Sequence, residues 1–269
     1  MDRATTAARS LFGLTSITLG LIGLISGTFA PGWQPVPETA PARELLFYLS
    51  VTASLACGAG LLARRTAAAA ALALLVVLLV WTALFKFPFI VRAPLEEVSY
   101  QTNGENLVLI AASWVLYAAN AKAPRFPAGE LGLRMAYLLY GLALIAFGLS
   151  HFFYLEMTAP LVPAWLPGPT FWAYATGVIY LGSGILIATG LATRLGALAA
   201  AVQIILITLL VWGPMLLKGP LSAMHWQETM VSFALTAGAL VLASGPLPAR
   251  ALNRDHFPRR RSAVSDSPR

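Results

Sequence analysis

Eight stretches of mostly apolar residues, each about the length needed to cross a bilayer, constrain this chain more than any other feature. They lie near residues 9–30, 44–62, 66–86, 105–120, 133–154, 171–190, 194–214 and 227–244. Lipid offers a backbone no hydrogen-bond partner, so a spanning segment must satisfy its own N–H and C=O groups as a helix. With 58% hydrophobic and 11% charged residues, against about 25% charged in ordinary globular domains, the composition predicts an all-α integral membrane protein with eight transmembrane helices. Arg3 and Arg9, ahead of an apolar run ending in Thr28-Phe29-Ala30, imitate a cleavable signal peptide. That run is too long for a signal core of about 7 to 15 residues, and a later segment repeats its pattern.

The basic residues orient the spans. With eight crossings, the N-terminal side holds Arg3, Arg9, Arg64, Arg65, Lys122, Arg125, Arg134, Arg194 and the six arginines of residues 250–269, leaving Arg43, Lys86, Arg92 and Lys218 for the other side. The positive-inside rule then places both termini in the cytoplasm of a multi-pass inner-membrane protein. The net charge of +7 follows from this topology, and no nucleic-acid module accompanies it. Cys57 is the single cysteine, so no disulfide or thiolate cluster can form within the chain, and it reads as a small packing residue.

The two halves share punctuation in the same order, which predicts an internal repeat. Gly20 and Gly27 pair with Gly141 and Gly148, and Trp33-x-Pro35-x-Pro37 with Trp165-x-Pro167-x-Pro169. Gly58-x-Gly60 pairs with Gly182-x-Gly184, Arg65 with Arg194, and Glu105 with Glu228, each glutamate opening the last helix of its half. An even number of spans per copy makes the repeats parallel. The domains are therefore a first four-helix unit over 1–125, a second over 126–247, and a basic tail over 248–269 that reads as disordered and cytoplasmic.

The second half reads Gly148-Leu-Ser-His151-Phe-Phe, then Pro163-x-Trp165-x-Pro167, Gly177 to Gly184, and His225-Trp226-x-Glu228 entering a helix with Gly238. This set resembles the DoxX family of four-helix bacterial membrane proteins, over residues 133–244 and, through the repeat, weakly over 10–120. The resemblance implies a subunit or accessory of a membrane redox system: the family includes a subunit of an archaeal thiosulfate:quinone oxidoreductase, and some members are associated with redox-defence complexes. Distant relatives are non-enzymatic chaperones or cargo receptors, so a cargo-binding or small-molecule-passage role on the same bundle is the alternative. The chain differs from a single family unit in being doubled and in carrying Ala30 where the second copy has His151.

Candidate chemistry collects at the outer ends of the second unit. His225 and Glu228 share a helix face at i, i+3 spacing, and His151 ends the fifth span with Glu156 beyond it. Two imidazoles and a carboxylate would suit proton transfer, a quinone headgroup or a weak metal site. No three ligands share a recognised metal spacing, so no metal is assigned. The competing explanation makes Glu228 a first-turn carboxylate favoured by the helix dipole and His225 and Trp226 interfacial anchors. Trp165 and Trp226 are the candidates to stack a planar cofactor such as quinone, although aromatic belts at headgroup level are the commoner explanation of such tryptophans. Glu96 and Glu97 read as an exposed acidic loop. No ionisable residue is expected deep in the bundle, where Gln203, Tyr140 and Tyr180 are the main polar groups.

Overall fold

The structure is a computed structural model that describes residues 3–29, 34–122, 126–217 and 223–249; the side chains of residues 215, 223–225 and 228 lie outside that description. It is all-helical among the described residues. The elements are α1 (Arg3–Ser26), α2 (Arg43–Leu62), α3 (Ala67–Trp81), α4 (Phe87–Arg92), α5 (Glu97–Asn120), α6 (Glu130–Phe153), α7 (Leu155–Thr158), α8 (Pro169–Thr189), α9 (Thr193–Ile207), α10 (Gly213–Met215) and α11 (Ala223–Ser244). A π-helical turn joins α3 to α4 (Thr82–Lys86) and another joins α9 to α10 (Thr208–Trp212). Six of the resulting rods are long and apolar enough to cross a membrane: Arg3–Ser26, Arg43–Leu62, Ala67–Arg92, Glu130–Phe153, Pro169–Thr189 and Thr193–Trp212.

The long helices form a closed ring in which α1 packs on α2, α2 on α3, α3 on α5, α5 on α6, α6 on α8, α8 on α9, α9 on α11, and α11 back on α1. A further contact joins α5 to α11 across the middle. Of these two, α5 falls short of the apolar composition of the six rods, and its packing gives the reason. Every residue of α5 from Val108 to Leu116 is buried, so its neighbours are protein rather than lipid and its polar side chains meet other polar groups. The outer helices instead turn Leu49, Val76, Val80, Val178, Ile185, Leu195 and Val202 outward, as a lipid-facing surface requires.

Small residues set the closest approaches, since apolar helices gain little from one another in lipid except through tight packing. A Cβ at Gly13 would lie 2.8 Å from the Gly58 carbonyl oxygen, and one at Gly58 2.7 Å from that of Gly13. The same reciprocal crossing joins α6 to α8, where Gly141 and Gly184 meet at 2.8 and 2.6 Å. Gly20 meets Leu55 as Gly148 meets Leu181. Gly141 and Gly148 thus make on α8 the kind of contact that Gly13 and Gly20 make on α2, seven residues from the pairing of Gly20 with Gly141 read in the sequence. Two helical turns return nearly the same face, so the one-heptad slip was invisible in spacing alone. Gly58 likewise matches Gly184 rather than Gly182, which has nothing within 4 Å of a Cβ position. Gly27, at φ +65°, ends α1 in the left-handed conformation that glycine adopts without steric cost.

Both π turns precede a proline, Pro88 and Pro214. Proline has no N–H to give the carbonyl four residues back, and the wider turn accommodates the lost bond. Each π turn opens with a threonine, Thr82 and Thr208, whose hydroxyl reaches a central helix. Thr82 Oγ1 accepts from Asn106 Nδ2 at 3.0 Å; Thr208 Oγ1 lies 2.8 Å from Ser232 Oγ and 2.7 Å from Thr236 Oγ1. At the same end of the first half, Gln34 and Val36 of the loop after α1 are buried, and Phe29 packs beside Trp81, itself against Phe85.

Candidate functional site

Because α3 continues through its π turn, Lys86 lies along the side of a helix packed on α5 instead of in a loop. Its side chain is 1% exposed. The ammonium donates to the Thr102 carbonyl oxygen at 2.6 Å and lies 3.5 Å from Glu105 Oε2. Asn103 Nδ2 donates to the Lys86 carbonyl oxygen at 3.0 Å and to that of Ser99 at 2.7 Å, which pins the irregular backbone of the π turn to α5. The cluster of Thr82, Lys86, Asn103, Glu105 and Asn106 is therefore a polar island between two helices.

This island corrects two expectations. Ionisable groups do lie inside the bundle, because Lys86 is buried and Glu105 is 16% exposed. Glu105 does not open its helix either, since α5 begins at Glu97 and Glu105 stands in the third turn. The apolar run ended at residue 86, which made Lys86 look like an interfacial residue. The combination of Pro88 with Asn103, Glu105 and Asn106 at close spacing was the available signal that the helices extend farther and meet through polar contacts.

A second polar set lies where α5 meets α6. Glu97 Oε1 accepts from Ser150 Oγ at 2.8 Å, while its other carboxylate oxygen is buried without a partner. Burial raises the Glu97 carboxyl above the ordinary value of 4.5, opposed by the Ser150 hydrogen bond. The tip ahead of the apolar run is thus tucked against α6, and only Glu96 matches the exposed acidic loop expected from sequence. The Tyr154 hydroxyl accepts from the Val98 N–H at 3.2 Å. His151 Nδ1 lies 2.9 Å from the Phe147 carbonyl oxygen, its ring 5.8 Å from that of Tyr180. With Nδ1–H given to that carbonyl, Nε2 is the acceptor.

The other sequence candidates fall elsewhere. Trp226, at the start of α11, lines an open apolar groove of about 380 Å³ with Thr18, Ile22, Ile25 and Ser26 of α1. Gln227 beside it is buried, with Nε2 3.3 Å from Thr28 Oγ1. Trp165 is 70% exposed on the loop between α7 and α8, and Trp172 Nε1 donates to the Pro167 carbonyl oxygen at 3.1 Å. Trp81 is buried rather than part of a belt. α11 begins at Ala223, so Glu228 stands in its second turn rather than opening it; the side chains of His225 and Glu228, and all of Trp33, lie outside the described residues. Among the described candidates, His151 lies in the α6–α8 contact and Trp226 in the α1–α11 groove.

Long apolar helices, a lipid-facing exterior and polar groups confined to helix contacts define a multi-pass helical membrane protein. Residues 131–213, less than a third of the chain, match the DoxX family model, so the stretch from α6 to the second π turn is similar to that family. The match contains His151 and Trp165 and stops short of α11. No curated protein and no solved structure matches the chain.

Proposed function

We propose that the chain is an eight-span protein of the bacterial cytoplasmic membrane that serves a quinone-linked redox system as a subunit or accessory. The observation that carries this reading is the groove at Trp226. Its volume of about 380 Å³ falls within the usual range of ligand pockets, roughly 300–1,000 Å³. Its apolar wall suits a quinone ring and tail, with Trp226 to stack on the ring and the Thr18 and Ser26 hydroxyls beside it. A quinone bound there would supply two-electron chemistry, which exchanges protons with each electron pair. The protein's part is to hold and move those protons: His225 and Glu228 flank Trp226 in sequence, and Glu97, Glu105 and His151 lie toward the same end of the helices.

Two parallel four-helix units, over 1–125 and 126–247, are part of the same proposal. The ring of contacts, the matched glycine crossings and the paired threonines of the π turns support it, and the distribution of basic residues supports termini, and the tail over 248–269, in the cytoplasm. The test is purification from native membranes followed by organic extraction and an absorbance scan. Quinone at about one per chain, lost in Trp226→Ala and retained in Trp165→Ala, supports the reading. Quinone no higher than in an unrelated protein from the same membranes refutes it. The second reading, non-enzymatic passage or cargo binding, is favoured by the exposure of Ile25 at the groove's edge; it predicts that lipid or an apolar solute, without quinone, comes out with the protein.

A further inference from the structure

Arg9 is the one buried arginine among the described residues, and no function so far uses it. It lies six residues into α1, about 9 Å from the helix start at 1.5 Å per residue, the depth of lipid headgroups. Its side chain is 2% exposed, yet Nε and Nη1 are both buried without a hydrogen-bond partner. Arg64, just beyond α2, bears on it as a like charge. An uncompensated guanidinium inside a helical bundle costs several kcal/mol, so its surroundings call for an anion.

Carbonyls at the end of α11 already accept other side-chain donors. At this face the last carbonyls of α11 receive Tyr137 Oη on Leu242, Arg194 on Ala243 and Gly245, and Thr5 Oγ1 on Ser244. In the register of the glycine crossings, Tyr137 holds in α6 the place that Arg9 holds in α1. On α5, the Leu116 carbonyl accepts from Asn120 Nδ2 at 2.7 Å.

We propose that Arg9, with Arg64, binds a phosphate-bearing anion at the membrane face where α1 begins and α11 ends. A phosphate offers several oxygens at once, which suits donors free on two nitrogens of one guanidinium better than a single carbonyl does. Anionic lipid headgroups and free phosphate share this chemistry. The test uses the full chain, stripped of lipid in a phosphate-free maltoside detergent, in wild-type, Arg9→Met and Arg3→Gln forms; Arg3 is exposed at the same face. Phosphatidylglycerol and inorganic phosphate are added separately, with melting temperature and lipid adducts in native mass spectra as readouts. Wild type and Arg3→Gln gain stability with the anion, while Arg9→Met melts higher than wild type before addition and binds at least tenfold more weakly. A response to phosphatidylglycerol alone assigns a lipid headgroup, and a response to inorganic phosphate as well assigns a free-anion site. Equal responses from wild type and Arg9→Met, or none from wild type, overturn the proposal.

Discussion

Removing one member of the Lys86–Glu105 pair should be far more damaging than removing both. At 3.5 Å and an effective dielectric of about 20, the mutual attraction is about 5 kcal/mol; desolvation of the two charges offsets much of it. Glu105→Gln keeps the shape and removes the carboxylate that faces the ammonium of Lys86, 1% exposed, at a cost of about 3–5 kcal/mol. Lys86→Met should cost less, because Glu105 is 16% exposed and can take up a proton, which a buried carboxylate does readily. Lys86→Met combined with Glu105→Gln removes both charges and should lie within about 1 kcal/mol of wild type, since buried ion pairs are often replaceable by neutral groups. Equilibrium unfolding of the purified protein in mixed micelles, read as a double-mutant cycle, measures the coupling. If the double variant costs the sum of the singles to within about 0.5 kcal/mol, the pair is screened and the argument for a buried island fails.

Glu97→Gln should gain on wild type as pH rises: a carboxyl raised in the folded state carries no penalty below its ordinary value of 4.5 and an increasing one as pH climbs through the raised value, so a pH-independent difference in melting temperature would contradict the assigned burial. Gly184→Ala should destabilise by about 1–3 kcal/mol through overpacking, because its Cβ would meet the Gly141 carbonyl oxygen at 2.6 Å, whereas Gly182→Ala, with open space around it, should be neutral or slightly stabilising; thermal melts with the order reversed would refute the crossing. Cysteines at Lys122 and Glu96, in a Cys57→Ala background, should label from opposite membrane faces, and labelling of both by an impermeant reagent on intact cells would rule out the topology.

Where the helices lie was legible in the sequence because lipid imposes it: each apolar run coincides with a long helix, and termination by Gly27 or Gly190 follows from backbone freedom. The second-half motifs were equally readable. What escaped was whatever depends on which helix faces which. Lys86 and Arg9 sit at the margins of apolar runs, where a snorkelling charge and a buried one have the same sequence signature; only packing on α5 or against the α1–α2 contact separates them. The glycine register slipped by one heptad because spacing specifies a face and not a height along it. Trp226 was marked as a candidate by its neighbours, while Thr18, Ile22 and Ser26 of its groove carry no local signal, being contributed by a helix some 200 residues away.

The central position of α5 and α11 bears on how such a chain enters the membrane during synthesis. Both emerge from the ribosome last in their half, after three more apolar helices have gone before. Asn103, Glu105 and Asn106 would partition poorly into hydrocarbon as part of a solitary helix, but a groove bounded by α3 offers Thr82 and Lys86 as ready partners. The third helix of each half thus precedes the polar helix it accommodates, with its proline-widened turn presenting the first acceptors. Synthesis in this order shortens the time for which the polar groups of α5 must face acyl chains alone.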